Sequence, residues 1–186
     1  MKKTLKHIII ILVGLVLSAG PAFAKDLKVS IAKMPVYAES EEKGVLVDFV
    51  KEMAKAEGID INIMVVPFAR SMHLVKIRRT DFHLPLIKLP ESNEQKLDYD
   101  HSTETIFYVN FVLYATKGKN ITKDNVKNFF IETDRAHTAY FNFNIMPSSC
   151  IECSLKKVNI GRIDGFIFAD FASDPLVKKN KLTNIK

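Results

Sequence analysis

The sequence lacks the motifs that mark most catalytic and metal centres. It has no serine in the strand–turn–helix setting of a nucleophile, no glycine-rich phosphate loop and no recognisable pair of catalytic carboxylates. Its five histidines are not spaced as metal ligands, and one of them, His7, lies in the N-terminal segment. We therefore expect no enzyme activity, no cofactor and no bound metal ion.

The sequence also lacks an apolar run long enough to span a membrane. Residues 8–17 form an apolar stretch of ten residues, whereas a spanning helix needs about 20. Three lysines precede this stretch, and Ala22-Phe23-Ala24 follows it, which is the order of a secretory signal peptide. We predict cleavage after Ala24 and a mature protein outside the cytoplasm, in the periplasm of a bacterial source. The alternative is an uncleaved membrane anchor.

A strong excess of charge is missing as well. The formal net charge of +6 includes the three lysines of residues 1–24, and the remaining 24 basic and 21 acidic residues leave only +3. Such a small, dispersed charge predicts no nucleic-acid partner. The composition, 47% hydrophobic and 26% charged, excludes wholesale disorder, and 186 residues suffice for one domain or two small lobes.

Strands and helices alternate in the first half of the mature chain. Alternating or continuous apolar segments predict strands, and apolar residues at three- and four-residue spacing predict amphipathic helices. Gly58 stands where a helix usually ends. The predicted strands cover 27–34, 59–66 and 82–87, and the predicted helices cover 44–58 and 70–79. This order predicts an α/β lobe with a parallel sheet and helical crossovers.

A long strand at 106–115 is predicted to leave the first lobe and enter a second, smaller one. We place lobe 1 at 25–115 and lobe 2 at 116–186. The second lobe is predicted to hold a helix at 123–128, a strand at 129–133, a helix at 154–159 and a strand at 165–168. Only 18 residues follow Phe168, with room for one short strand at 182–185, so we expect an incomplete return crossover.

Three segments together resemble a known family. They are the helix Gly-Val-Leu-Val-Asp-Phe-Val-Lys-Glu-Met-Ala at 44–54, Pro-Phe-Ala-Arg at 67–70 and Gly-Arg-Ile-Asp-Gly-Phe-Ile at 161–167. In this order and spacing they are similar to the extracellular solute-binding proteins of family 3, over nearly all of residues 27–186. The resemblance implies a two-lobe fold of the type II periplasmic-binding-protein kind. It implies a monomer that binds a small polar, amino-acid-like solute by hinge closure and delivers it to the membrane permease of an ABC importer.

Ligands of open parallel α/β sheets bind outside the carboxyl ends of the strands. Tyr37 and Phe68 follow the first two predicted strands and offer aromatic faces to a ligand. Arg70 lies at the start of a helix, where its charge opposes the helix dipole, so it suggests an anionic partner on the solute. The alternative partner of Arg70 is a carboxylate of the chain itself, such as Asp48.

Two further ligand residues follow from the resemblance. Family members place an arginine after the third strand, but no arginine occurs here between Thr80 and Asp134, and Lys96 is the cation in that neighbourhood. Lys96 supplies charge without the two-pronged geometry of arginine. The family also places an acidic residue after the second-lobe strand, to hold the ammonium group of the solute. Asp170 is the residue of this type, one position later than expected.

Cys150 and Cys153 are the only cysteines, with two residues between them. In an oxidising compartment we predict a disulfide between them. Preceding serines suggest that the pair opens a helix, where thiolates are reactive, so a thiol–disulfide function is the first alternative to solute binding. The second alternative is a sensory or vestigial module on the same fold.

Overall fold

A computed structural model describes residues 26–87 and 100–186, and the predicted signal peptide therefore lies outside the described residues. The first lobe is a three-stranded parallel sheet in the order β2–β1–β3, with two helical crossovers. Its elements are β1 (Leu27–Ala32), α1 (Val45–Glu57), β2 (Ile61–Val66), α2 (Phe68–Lys76) and β3 (Phe82–Leu84). The predicted alternation of strands and helices in this half is confirmed.

Helix α1 packs its apolar stripe on the central strand β1. Leu46, Val47 and Val50 are buried in one cluster with Val29 and Ile31 of that strand. This follows from apolar residues recurring at helical spacing, since they lie on one face of the helix. The helix ends at Gly58, whose φ of 64° closes the last turn through hydrogen bonds to the preceding carbonyls.

Helix α2 begins two residues earlier than predicted, directly after Pro67. The fixed φ of proline suits the position before a first helical turn, so Phe68 and Arg70 both lie in that turn. Met72 packs against the core. The helix, predicted to reach residue 79, ends at Lys76, and Ile77 lies beyond it with 47% of its surface exposed.

The second lobe is a four-stranded sheet in the order β4–β7–β5–β6, in which only β4 is antiparallel to its neighbour. Its elements are β4 (Phe111–Ala115), β5 (Ile131–Asp134), β6 (Met146–Ser148), α3 (Ile151–Asn159), β7 (Gly165–Ala169) and α4 (Asp170–Lys179), with 3-10 helices at Val126–Asn128 and Arg135–Tyr140. Its core contains Phe166 and Phe168 of β7, packed on α3 and α4.

Two predictions for this half need correction, and one helix was missed. The strand predicted at 106–115 is regular only over β4, and residues 106–110 belong to no strand. The helix predicted at 123–128 shrinks to one 3-10 turn. Helix α4 was not predicted, because Pro175 lies inside it and removes a backbone donor. The last residues pair with β4, where Lys186 and Ala115 exchange backbone hydrogen bonds. The boundary at 115/116 stays a prediction.

No helix in the two described ranges, 26–87 and 100–186, is both long and apolar enough to cross a membrane.

Candidate functional site

The two lobes meet at the carboxyl ends of the first lobe's strands. Phe68, the first residue of α2, keeps only 6% of its surface exposed. Its ring makes an edge-on contact with His137 of the second lobe, at a centroid distance of 4.6 Å, and another with His83 of β3, at 5.5 Å. Phe68 therefore lies between one histidine from each lobe.

A second aromatic contact joins the lobes at Tyr37. The Tyr37 ring lies 4.3 Å from that of Phe171, in the first turn of α4, and 5.5 Å from that of Phe107, which precedes β4. Phe107 and Phe171 are themselves 5.5 Å apart, so the three rings form one cluster, called the three-ring cluster below. Both rings predicted to face a solute, Tyr37 and Phe68, thus contact side chains of the second lobe.

The position of Tyr37 is set by a tight turn against α1. The turn from Met34 to Ala38 is closed by backbone hydrogen bonds in both directions, at 3.0 and 2.9 Å. The Tyr37 carbonyl accepts a hydrogen bond from the backbone of Leu46 at 2.9 Å. Gly44 has a φ of 142°, and a Cβ there would lie 2.4 Å from the Tyr37 oxygen. Only glycine fits this approach, so Gly44 fixes where the tyrosine stands.

His137 is an almost fully enclosed polar residue at the junction. It lies in the 3-10 helix after β5, is 1% exposed, and its Nδ1 has no hydrogen-bond partner within residues 26–87 and 100–186. Asp134 Oδ1 lies 3.6 Å from that nitrogen. Its ring contacts those of four residues, namely Phe68, Phe111, Tyr140 and Phe168. Sequence analysis missed His137, although its place just after a buried strand was a usable signal.

His83 is the histidine that the first lobe contributes to the junction. Its Nδ1 lies 2.6 Å from the hydroxyl of Ser71, while Nε2 has no partner among the described residues. Burial lowers the pKa of His83 to about 4; the backbone of Pro85 opposes this shift, and the neighbouring His137 adds to it. The junction therefore favours a neutral imidazole at this position.

Arg70 lies on the exposed side of the first turn of α2. No ion pair joins it to any residue of the described ranges, and Asp48, the proposed internal partner, is itself exposed on α1. The Arg70 side chain is thus exposed and has no ion-pair partner in the described ranges. Its ligand role remains a prediction.

Asp170 begins α4 beside the three-ring cluster. It does not lie on the strand, because β7 ends at Ala169. Its Oδ2 accepts a hydrogen bond from Asn110 Nδ2 at 3.0 Å, and its Oδ1 accepts one from the backbone of Phe171 at 2.7 Å. The bond from Asn110 is the main reason why the pKa of Asp170 is lowered, so the carboxylate stays charged. Lys96 lies outside the described residues.

The structure contains the predicted disulfide between Cys150 and Cys153, at the start of α3. Among the described residues no group of histidine, cysteine and acidic side chains is arranged to hold a metal ion.

Comparison with known proteins relates the fold to solved structures only. No protein-family model and no curated protein matches the chain. The chain is similar to an ancestral arginine-binding protein bound to arginine, at 15% identity and a TM-score of 0.66, over 87% of this chain and 77% of that one. It is also similar to the GluR0 ligand-binding core from Nostoc punctiforme in complex with L-glutamate, at 14% identity and a TM-score of 0.69, over 86% and 77%.

A third similar structure is a histidine kinase sensor domain with similarity to periplasmic binding proteins, at 15% identity and a TM-score of 0.65, over 87% of this chain and 75% of that one. These matches show the two-lobe fold of periplasmic binding proteins, as sequence analysis predicted.

Proposed function

We propose that the protein binds a small, amino-acid-like solute at the junction of its two lobes and that hinge closure accompanies binding. The observation that carries this proposal is the double contact of Tyr37 and Phe68 with second-lobe rings. Both residues stand at carboxyl ends of parallel strands, the edge where such sheets bind ligands. Two solved structures of similar fold, one bound to arginine and one to L-glutamate, support an amino-acid-like solute.

Two charged side chains are proposed to bind the charged groups of the solute. Arg70, without a partner among the described residues, suits a carboxylate of the solute. Asp170, held charged by Asn110, suits an ammonium group. A solute that touches both lobes stabilises the closed arrangement, because only there are both sets of contacts made. In the present arrangement the lobes contact each other through Phe68 and His137, so a solute has to separate or flank these rings.

The cellular role follows from the same resemblance. We propose a monomer outside the cytoplasm that delivers its solute to the permease of an ABC importer, with no chemical step on the solute. A sensory module is the second candidate, and the similarity to a histidine kinase sensor domain favours it. A permease that is stimulated by the loaded protein supports the first role, whereas a requirement for the protein in a signalling response without transport supports the second.

Calorimetric titration of the mature protein with amino acids, polyamines and small organic acids tests the binding proposal. For a solute that binds, Arg70→Ala should raise the Kd more than about tenfold, since a charged hydrogen bond contributes about 1.5–3 kcal/mol. Arg79→Ala is the matched control, because Arg79 is also exposed and lies just beyond the other end of α2. Equal affinities of the two variants would contradict the ligand role of Arg70, and an absence of binding by all solutes would contradict the proposed function.

A further inference from the structure

The disulfide lies where a thiol from solution can reach one of its two residues. Cys150 is half-buried and caps α3 (Ile151–Asn159), while Cys153 lies in the first turn and is exposed. These are the only two cysteines of the chain, so no internal thiol competes for the bond. Exposed disulfides are the ones that exchange with external thiols. Attack from outside is therefore directed to Cys153.

The helix start stabilises the sulfur that would leave. Cys150 Sγ accepts a hydrogen bond from the backbone N–H of Cys153 at 3.1 Å and thereby acts as the N-terminal cap of α3. A thiolate at a helix N-terminus is favoured by the helix dipole and by this donor, which lowers the thiol pKa. Since a low-pKa thiolate leaves readily, exchange at Cys153 has a good leaving group in Cys150.

The turn is held in place without help from the S–S bond. The Ser148 hydroxyl accepts a hydrogen bond from the backbone of Cys150 at 3.3 Å and lies 2.8 Å from the Ser154 hydroxyl. Ser154 donates to Glu132 Oε2 at 2.6 Å. The second oxygen of Glu132 binds Lys157 Nζ at 2.7 Å, and the carboxylate is almost fully buried. Because this network anchors both sides of the turn, the bond can open and close without refolding.

We propose that Cys150–Cys153 is an exchangeable disulfide that accepts two electrons from an external dithiol. The reagent thiolate attacks Cys153 Sγ, which forms a mixed disulfide and releases Cys150 as a thiolate on its helix cap. The second thiol of the reagent then loses its proton and attacks the reagent's first sulfur, which is bonded to Cys153 in the mixed disulfide. This releases Cys153 as a thiolate, which takes up a proton. The reagent leaves as a disulfide, oxidised by two electrons, and the cysteine pair is reduced by two.

The first experiment measures the rate of reduction of the native protein by dithiothreitol at about 1 mM, with thiols trapped by alkylation and counted by mass. We expect a rate within about tenfold of that of the same protein unfolded in guanidinium, because the bond is accessible. A rate more than about a hundredfold slower in the native protein would overturn the proposal, as would two free thiols before any reductant is added. With the monothiol glutathione, peptide mapping should find the mixed disulfide on Cys153; a mixed disulfide on Cys150 would contradict the proposed order.

The second experiment separates the two thiols. Cys153→Ser leaves Cys150 on its helix cap, and Cys150→Ser leaves Cys153 with a serine in the cap position. We expect iodoacetamide at about pH 6 to alkylate Cys150 at least about tenfold faster than Cys153, since the Cys150 sulfur also accepts the backbone N–H of residue 153 at the helix start. Equal rates, in variants whose circular dichroism matches that of the parent, would overturn the assignment of Cys150 as the leaving group.

Discussion

Replacing His83 by asparagine should remove a large part of the acid sensitivity of the fold. The pKa of His83 is lowered from 6.5 to about 4 because the ring is buried at the junction. A lowered pKa means that the unfolded chain binds the proton more tightly, so stability is intact above about pH 6.5 and is lost as the pH falls toward about 4. The full shift of about 2.5 units corresponds to at most about 3 kcal/mol.

Urea unfolding at about pH 7 and pH 5 measures this loss. Between these values the linkage relation gives about 2 kcal/mol for His83 alone. Asparagine does not titrate, yet its amide can keep the hydrogen bond of His83 Nδ1 to Ser71. His83→Asn should therefore lose about 2 kcal/mol less than the parent on acidification. His73→Asn is the matched control, because His73 is an exposed histidine on α2. An unchanged pH dependence in His83→Asn, or a flattened one in the control, would refute the reasoning.

Three further predictions concern stability and processing. In thermal melts, Gly44→Ala should lower the free energy of unfolding by more than about 2 kcal/mol, since its Cβ would lie 2.4 Å from a backbone oxygen. Gly58→Ala, with open space around it, should lower it by about 1 kcal/mol in the same measurement. Glu132→Gln should cost about 3 kcal/mol by leaving the half-buried Lys157 without its anion, while Glu152→Gln, at a partly exposed ion pair, should cost under about 1 kcal/mol. Intact-mass analysis of secreted protein should show that the chain begins directly after Ala24; a retained leader would contradict the predicted localisation.

Local patterns predicted most of the fold because they act through neighbouring residues. The stripe of α1 and the glycine after it determine one helix by themselves, and the predicted bounds agree with the observed ones. Strand β6 was missed because three residues with a central proline, Met146-Pro147-Ser148, show no alternation. Its pairing with β5 arises from the sheet, where Thr133 lies opposite Pro147.

Only the first-lobe residues of the candidate site could be predicted from the sequence. Tyr37 and Phe68 follow strands whose carboxyl ends were recognisable, so sequence analysis identified them as candidate ligand contacts. Their partners His137 and Phe171 lie far away in the chain and are brought there by the packing of the two lobes. A single sequence contains no pairing signal across such distances, and His83 was unremarkable for the same reason.

The three-ring cluster has a spectroscopic consequence. The chain contains no tryptophan, so Phe107→Trp would introduce the only indole fluorophore of the chain. In the arrangement seen here that indole would lie half-shielded between Tyr37 and Phe171, one from each lobe. Any separation of the lobes would hydrate it and shift its emission to longer wavelengths, and energy transfer from Tyr37 would weaken. The fluorescence of a tryptophan at this position would therefore report the separation of the lobes without an attached dye.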